Sequence, residues 1–237
     1  MHLRRVRIRH DRFPSVESYP FSLEILRASS SLDFASPVTF FAGENGSGKS
    51  TLLRAIARWC GIHIWEGIER ARLINNPHEE GLSSFLEGEW SGGQPVPGSF
   101  FSAELFRSLA QSIDEWAIND PEVLSVYGGK SLLVQSHGQS YMSFFVNRFK
   151  LRGLYLLDEP ENALSASTLF EFLELLADLT RQGESQFLIV THSPILMSLR
   201  GAEIFSFDTL PLAKIPYIET KHFKLYKAFF DKHGQPQ

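Results

Sequence analysis

The stretch Phe40-Phe41-Ala42-Gly43-Glu44-Asn45-Gly46-Ser47-Gly48-Lys49-Ser50-Thr51 constrains this chain more than any other. An apolar run, Val38 to Ala42, ends at Gly43, and Gly43, Gly48, Lys49 and Ser50 fit the pattern G-x-x-x-x-G-K-[ST] without a gap. Glycines let the backbone curl so that its N–H groups point inward at phosphate oxygens. Lys49 brings a point charge to the terminal phosphates, and the Ser50 hydroxyl can take one place on an octahedral Mg²⁺. Downstream, Leu52, Leu53, Ile56, Ala57 and Cys60 recur at helical spacing, with Gly61 as a natural stop. A strand, this loop and a helix whose N-terminus faces the phosphates follow one another. Gly43, Glu44, Asn45, Gly46, Ser47, Gly48, Lys49, Ser50 and Thr51 are the candidate phosphate-binding residues.

The rest of the chain has to supply a fold around that loop. With 237 residues, 43% of them hydrophobic, it can bury a full α/β core, and we expect one domain over 1–237. The formal net charge is −4, so no global basic excess points to nucleic acid, although a local patch is compatible with that balance. A single cysteine, Cys60, excludes an internal disulfide framework and is expected to be a small core residue. Met1-His2-Leu3-Arg4-Arg5 leads straight into alternating Val6 and Ile8 with no signal-peptide core. No run approaches the roughly 18 apolar residues of a membrane span. The expectation is a soluble, cytoplasmic chain that does not itself insert into a membrane.

Leu3 to Arg9 and Phe21 to Arg27 alternate apolar and polar, which predicts two half-buried strands and an antiparallel flank on a mostly parallel sheet. Residues 66–98, with Asn75-Asn76-Pro77, Gly92-Gly93, Pro95 and Pro97-Gly98, read as an irregular inserted loop, partly mobile. From about 103 to 150 the pattern is helical. Leu105, Phe106, Leu109, Ile113 and Trp116 make one stripe that Asp120-Pro121 ends, and Gly138 to Phe149 carries a second. Phe100-Phe101, Gly153 to Asp158 and Phe187 to Val190 read as strands, and Leu169 to Leu179 as an amphipathic helix closed by Gly183. Ala202 to Phe207 and Leu212 to Ile218 read as further strands before a last helix, Phe223 to Lys232.

Leu154-Tyr155-Leu156-Leu157-Asp158-Glu159-Pro160 is the second strong signal: an apolar strand ending in adjacent carboxylates, the Walker B arrangement. Asp158 at the strand end would hold Mg²⁺, and Glu159 would polarise an attacking water. After the next strand comes Thr191-His192-Ser193-Pro194, where Ser193 and Pro194 suit a helix cap and first turn and leave His192 at the strand end.

In this order the motifs resemble the ATP-binding-cassette (ABC) ATPases, over nearly the whole chain from Leu3 to the last helix and least over 66–98. The string Gln-Ser-His-Gly-Gln-Ser, followed by Gly-Leu-Tyr-Leu-Leu-Asp-Glu-Pro-Glu-Asn-Ala-Leu-Ser, is similar to small stand-alone bacterial ATPases. These are related to the heads of structural-maintenance-of-chromosomes (SMC) and break-repair proteins. The resemblance implies an ABC-type P-loop fold, ATP and Mg²⁺ as ligands, hydrolysis with Lys49, Glu159 and His192 at the reacting phosphate, and Ser50 and Asp158 on the metal. It also implies a head-to-tail dimer in which a signature segment of one subunit closes over the ATP of the other. Glu161 to Ser165 stands in the place of the family's D-loop, with Ser165 where an Asp is usual. Two strings compete for the signature. Ser91-Gly92-Gly93-Gln94 matches better as a string, but prolines follow it; Ser136-His137-Gly138-Gln139 lies at the family's distance ahead of Asp158 and leads into a helix, so Ser136 and Gly138 are chosen, despite His137. Glu104, in the Q-loop position, is either a metal or water contact or an ordinary carboxylate at a helix start. Arg12 and Phe13 fall in the region from which related ATPases reach adenine. The dimer cycle would act on an unidentified protein partner or in a nucleic-acid process. A membrane-transporter subunit and a P-loop small-molecule kinase are the alternatives.

Overall fold

The computed structural model describes residues 1–65, 78 and 80–234. In chain order the elements are β1 (Leu3–Ile8), α1 (Glu24–Ala28), β2 (Ser31–Asp33), β3 (Val38–Ala42), α2 (Lys49–Trp59), β4 (Leu86–Trp90), β5 (Gly98–Ser102), α3 (Phe106–Asn119), α4 (His137–Arg148), β6 (Gly153–Asp158), α5 (Ala166–Gln182), β7 (Ser185–Val190), α6 (Pro194–Met197), β8 (Glu203–Ser206), β9 (Ala213–Lys214) and α7 (Lys221–His233), joined by loops and short 3-10 turns.

Six strands form a central sheet in the order β5-β6-β7-β3-β8-β9, parallel except for β9. Every residue of β3, β6 and β7 is buried, as expected of parallel strands covered on both faces. Their alternating side chains feed two cores. Phe41, Leu154, Leu156, Leu188 and Val190 meet Leu52, Leu53 and Ile56 of α2 on one face. Phe40, Tyr155, Leu157, Phe187 and Ile189 meet α3, α4 and α5 through Leu109, Phe145 and Phe172 on the other. The register sets Val190 beside Phe41 on one side and Asp158 on the other, so β3, β6 and β7 end together.

The expected antiparallel flank is instead a separate small sheet, β2-β1-β4. Its third strand comes from the region read as an irregular loop. Leu86–Trp90 pairs with β1 so that Glu87 and Glu89 stand opposite Arg7 and Arg5. Arg9 lies 2.5 Å from Glu87, and Arg5 and Arg4 lie 3.9 and 4.0 Å from Glu89. Ion pairs of this kind fix which face of a strand points outward more than they stabilise it. Of residues 66–98, read as irregular and partly mobile, 66–77 and 79 lie outside the described residues; from Gly81 onward the segment forms a 3-10 turn, β4 and the start of β5.

Two more strand expectations are corrected. Phe21–Arg27 is not a strand: Ile25 and Leu26 are both buried although adjacent, and the amides of Leu26 and Arg27 bond back to the carbonyl of Leu23. Neighbouring residues share a buried side on a helix, not on a half-buried strand. Leu212–Ile218 yields only Ala213–Lys214, because Pro211 and Pro216 have no N–H to give a ladder. Cys60 is only partly buried, packed beside the first core, and burial pushes its thiol up to about 12.

Candidate active site

The shared end of β3, β6 and β7 carries the motifs. Gly48 has φ +98°, a conformation that favours glycine, and a Cβ there would stand 3.0 Å from Leu23 Cδ1. At Gly43 a Cβ would meet Phe207 Cβ at 2.9 Å. Between them Glu44, Asn45 and Gly46 form the exposed crest, while Ser47 has a buried hydroxyl without a hydrogen-bond partner. Lys49 is 4% exposed, and its ammonium donates to the carbonyls of Gly43 (2.7 Å) and Glu44 (2.8 Å). Burial pulls its pKa down and Glu159, then Asp208, oppose that. The first N–H groups of α2 have no acceptor within the helix. A curled loop, a buried cation and open amides together make a cradle for polyphosphate. Thr51 is tied by a 2.6 Å hydrogen bond to the Tyr19 hydroxyl.

Ser50 Oγ donates to Asp158 Oδ1 at 2.6 Å. Burial pushes the Asp158 pKa up, opposed first by that hydrogen bond and then by Arg54. A hydroxyl beside a buried carboxylate is a hard-oxygen pair that suits Mg²⁺, which takes few protein ligands and completes its shell with water and phosphate. No group of three or more His, Cys, Asp and Glu that could hold a metal occurs among the described residues. Arg54, which motif reading overlooks, lies 3.5 Å from Asp158 and 3.5 Å from Glu104. Glu104 is thus linked to Asp158 through Arg54, although its side chain is 79% exposed. The clue to Arg54 is its spacing of four residues from Ser50, which puts both on one side of α2.

Glu159 sits in the left-handed region, φ 50° and ψ 55°, alone among the described non-glycine residues. Glu159 Oε2 accepts from Asn162 Nδ2 at 2.7 Å, and Oε1 stands 3.6 Å from His192 Nε2. The left-handed backbone costs a branched or long side chain about 1–2 kcal/mol, and among residues with a side chain asparagine tolerates it best. Glu159→Asn is therefore expected to raise unfolding stability by about 1 kcal/mol. A denaturant melt showing a loss instead would contradict the strain.

Beside this pair, half-buried Glu161 accepts from Thr191 Oγ1 and from the His192 amide, both at 2.7 Å. It joins the segment after β6 to the end of β7. Ser165, the departure from the family's Asp, caps α5 by accepting from the Thr168 amide. His192 Nδ1 lies 3.0 Å from His222 Nε2, and its own Nε2 is buried without a hydrogen-bond partner. His222 and Lys221 begin α7. Lys221 Nζ lies 3.5 Å from Glu44 and 3.6 Å from Asp208, whose Oδ1 accepts from the Glu44 amide at 2.9 Å. No sequence pattern marks these last three residues; only the tertiary fold brings them here.

Ser136 caps α4 in a reciprocal capping box with Gln139, as the choice of this string requires, while Ser91–Gln94 follows β4 as a turn with no helix. Ser136 is exposed and Gly138 half-buried, and their bonds stay within their own turn. Phe13 packs on Phe21 and Phe85 with ring centroids 4.8 and 5.7 Å apart, while Arg12 is exposed beside Asp11.

Two family models match parts of the chain, "AAA domain, putative AbiEii toxin, Type IV TA system" over residues 132–198 and "AAA domain" over residues 20–65. The xylose import ATP-binding protein XylG of Brucella abortus (strain 2308) is 31% identical over 165 residues, which is 60% of this chain but 31% of that relative's length. Among solved structures, the SMC head domain from Thermotoga maritima superposes with a TM-score of 0.50 at 17% identity, covering 91% of this chain and 99% of that one. CbiO1 from Clostridium perfringens, part of the ABC transporter complex cbiONQ, gives 0.51 at 16% identity over 86% and 87% of the two chains. Among the described residues no helix is long and apolar enough to cross a membrane. In fold, the chain is similar to ABC-type P-loop ATPase domains and to the SMC head domain.

Proposed function

We propose that this chain binds ATP with Mg²⁺, hydrolyses it, and couples turnover to closing and opening of a head-to-tail homodimer. The observation that carries this is the meeting of Lys49, the Ser50–Asp158 pair, and Glu159 with His192 at the aligned ends of three buried parallel strands. Backbone amides of the loop from Gly43 to Gly48 and the Lys49 ammonium bind the phosphates. Ser50 and Asp158 would hold the Mg²⁺, whose charge would offset that building on the phosphates. Glu159 takes the proton of the attacking water, and the unpartnered Nε2 of His192 meets the γ-phosphate. Arg54 keeps Asp158 paired with a cation before the metal arrives.

The second half of the site comes from a second copy. Ser136 uses its oxygen as an acceptor within the cap, which leaves its O–H free to donate to a phosphate oxygen. Next to it, Val134 is 78% exposed and Leu133 43% exposed, apolar surface of the kind an interface covers. His137 stands where the family has glycine and is exposed beside this edge.

Release of phosphate from Mg-ATP, together with nucleotide binding by calorimetry, tests the chemistry. Lys49→Ala removes a charge-assisted hydrogen bond and is expected to weaken ATP about 10–100-fold. Binding and turnover at wild-type levels would refute the site.

The similarity to a xylose import ATP-binding protein supports a second reading, in which the same chemistry serves a membrane transporter. Recovery of the chain with membranes, through a membrane-embedded partner, would favour it. Hydrolysis stimulated by DNA with steep salt dependence would instead favour a nucleic-acid process.

A further inference from the structure

We propose that His222, in the first turn of α7, is a positioning residue for His192: its Nε2–H donates to His192 Nδ1 and so keeps the His192 proton on Nε2, facing Glu159 and the phosphate cradle. This rests on the reading of His192 as the γ-phosphate contact.

The two rings meet nearly edge to face, centroids 5.1 Å apart and planes at 65°, with the nitrogens 3.0 Å apart. One nitrogen of that pair must donate and the other accept. If His192 Nδ1 carried the proton, its Nε2 would present a lone pair to the Glu159 carboxylate 3.6 Å away, acceptor against acceptor. It would present the same lone pair to any phosphate oxygen. With the proton on Nε2, both become favourable donor–acceptor approaches. Nε2 is buried and has no hydrogen-bond partner, which is costly unless a ligand completes it. The geometry therefore selects the arrangement in which His222 donates.

Both rings are held in the neutral form that such a choice requires. Burial lowers the pKa of His192, with Lys49 and His222 acting in the same direction and Glu159 and Glu44 opposing. Burial likewise lowers that of His222; Asp208 opposes it, and Lys49 adds to it. A protonated imidazolium would donate from both nitrogens, and the choice of tautomer would vanish. His222 is in turn held by α7, whose Thr220 cap accepts from the Phe223 amide and whose Lys221 lies against Glu44 and Asp208. The last helix thus fixes the hydrogen-bonding state of a residue at the end of β7.

The test is a two-bond ¹H–¹⁵N spectrum of the histidine rings in the full chain, with turnover and ATP binding measured in parallel. In the wild-type protein His192 is expected to show a protonated Nε2 and a bare, hydrogen-bonded Nδ1. His222→Ala should mix the His192 tautomers and lower kcat about tenfold or more, the scale of losing an orienting partner, with ATP affinity within about twofold. His222→Gln, whose amide N–H₂ can still donate, should restore much of both. Unchanged His192 ring signals in His222→Ala would overturn the proposal, and so would a wild-type protein with the proton on Nδ1. His192→Ala separates the two ideas. Full turnover in that variant sinks the γ-phosphate reading, while the ring spectrum still decides whether His222 sets the tautomer.

Discussion

Replacing Glu159 with glutamine is expected to slow ATP turnover by about 10²–10⁴-fold while leaving ATP affinity within about twofold. Glutamine keeps the length of the side chain, and its oxygen can still accept from Asn162 Nδ2. It loses only the ability to take a proton from water. The neighbours proposed to bind phosphate and metal, Lys49, Ser50 and Asp158, make their contacts without Glu159. Binding and chemistry should therefore separate cleanly. Phosphate release in a single-turnover experiment checks the rate, and calorimetry checks the binding. A variant that hydrolyses ATP at the wild-type rate would remove Glu159 from the reaction. A variant that no longer binds ATP would assign it to the cradle instead.

Phe145→Ala should be the most damaging change outside the site, costing about 3–5 kcal/mol. Phe145 is wholly buried on α4, with ring centroids 4.8 Å from Phe101 on β5, 5.1 Å from Phe149 and 4.5 Å from Phe172 on α5. Removing it empties the point where the helical segment meets the sheet, and close-packed neighbours cannot all move inward. For a chain of this size the melting temperature should fall on the order of 10 °C. Since Ser136 caps α4, any trans contact should loosen too. Phe229, 57% exposed on α7, is the control; its replacement by alanine should stay within about 0.5 kcal/mol. Equal losses at both positions in a thermal melt would contradict the core assignment.

The two cases differ in how far the sequence alone announces them. Lys49, Asp158, Glu159 and His192 can be read directly because each sits at a fixed offset from an apolar run, and buried parallel strands are such runs. The Ser136 cap was readable for the same reason: a capping box and a following helix are local. Phe21–Arg27 misleads because apolar residues at 21, 23 and 25 mimic a strand, and only the joint burial of Ile25 and Leu26 reveals a helical turn. Leu86–Trp90 is hidden by its glycine and its glutamates, which make sense only opposite the arginines of β1. Arg54, Glu161, Asp208 and His222 belong to the site through contacts between segments far apart in sequence. No spacing rule carries that information. His222 in particular looks like any polar residue opening a basic helix until the end of β7 is placed beside it.

The central claim, that one ATP is enclosed by two copies of the chain, is tested most directly by the light-scattering mass of Glu159→Gln with and without Mg-ATP. With turnover blocked, the closed state should accumulate. The account predicts one chain per particle without nucleotide, two with Mg-ATP, and no shift when Ser136→Arg is added. A particle of one chain with ATP demonstrably bound would contradict it.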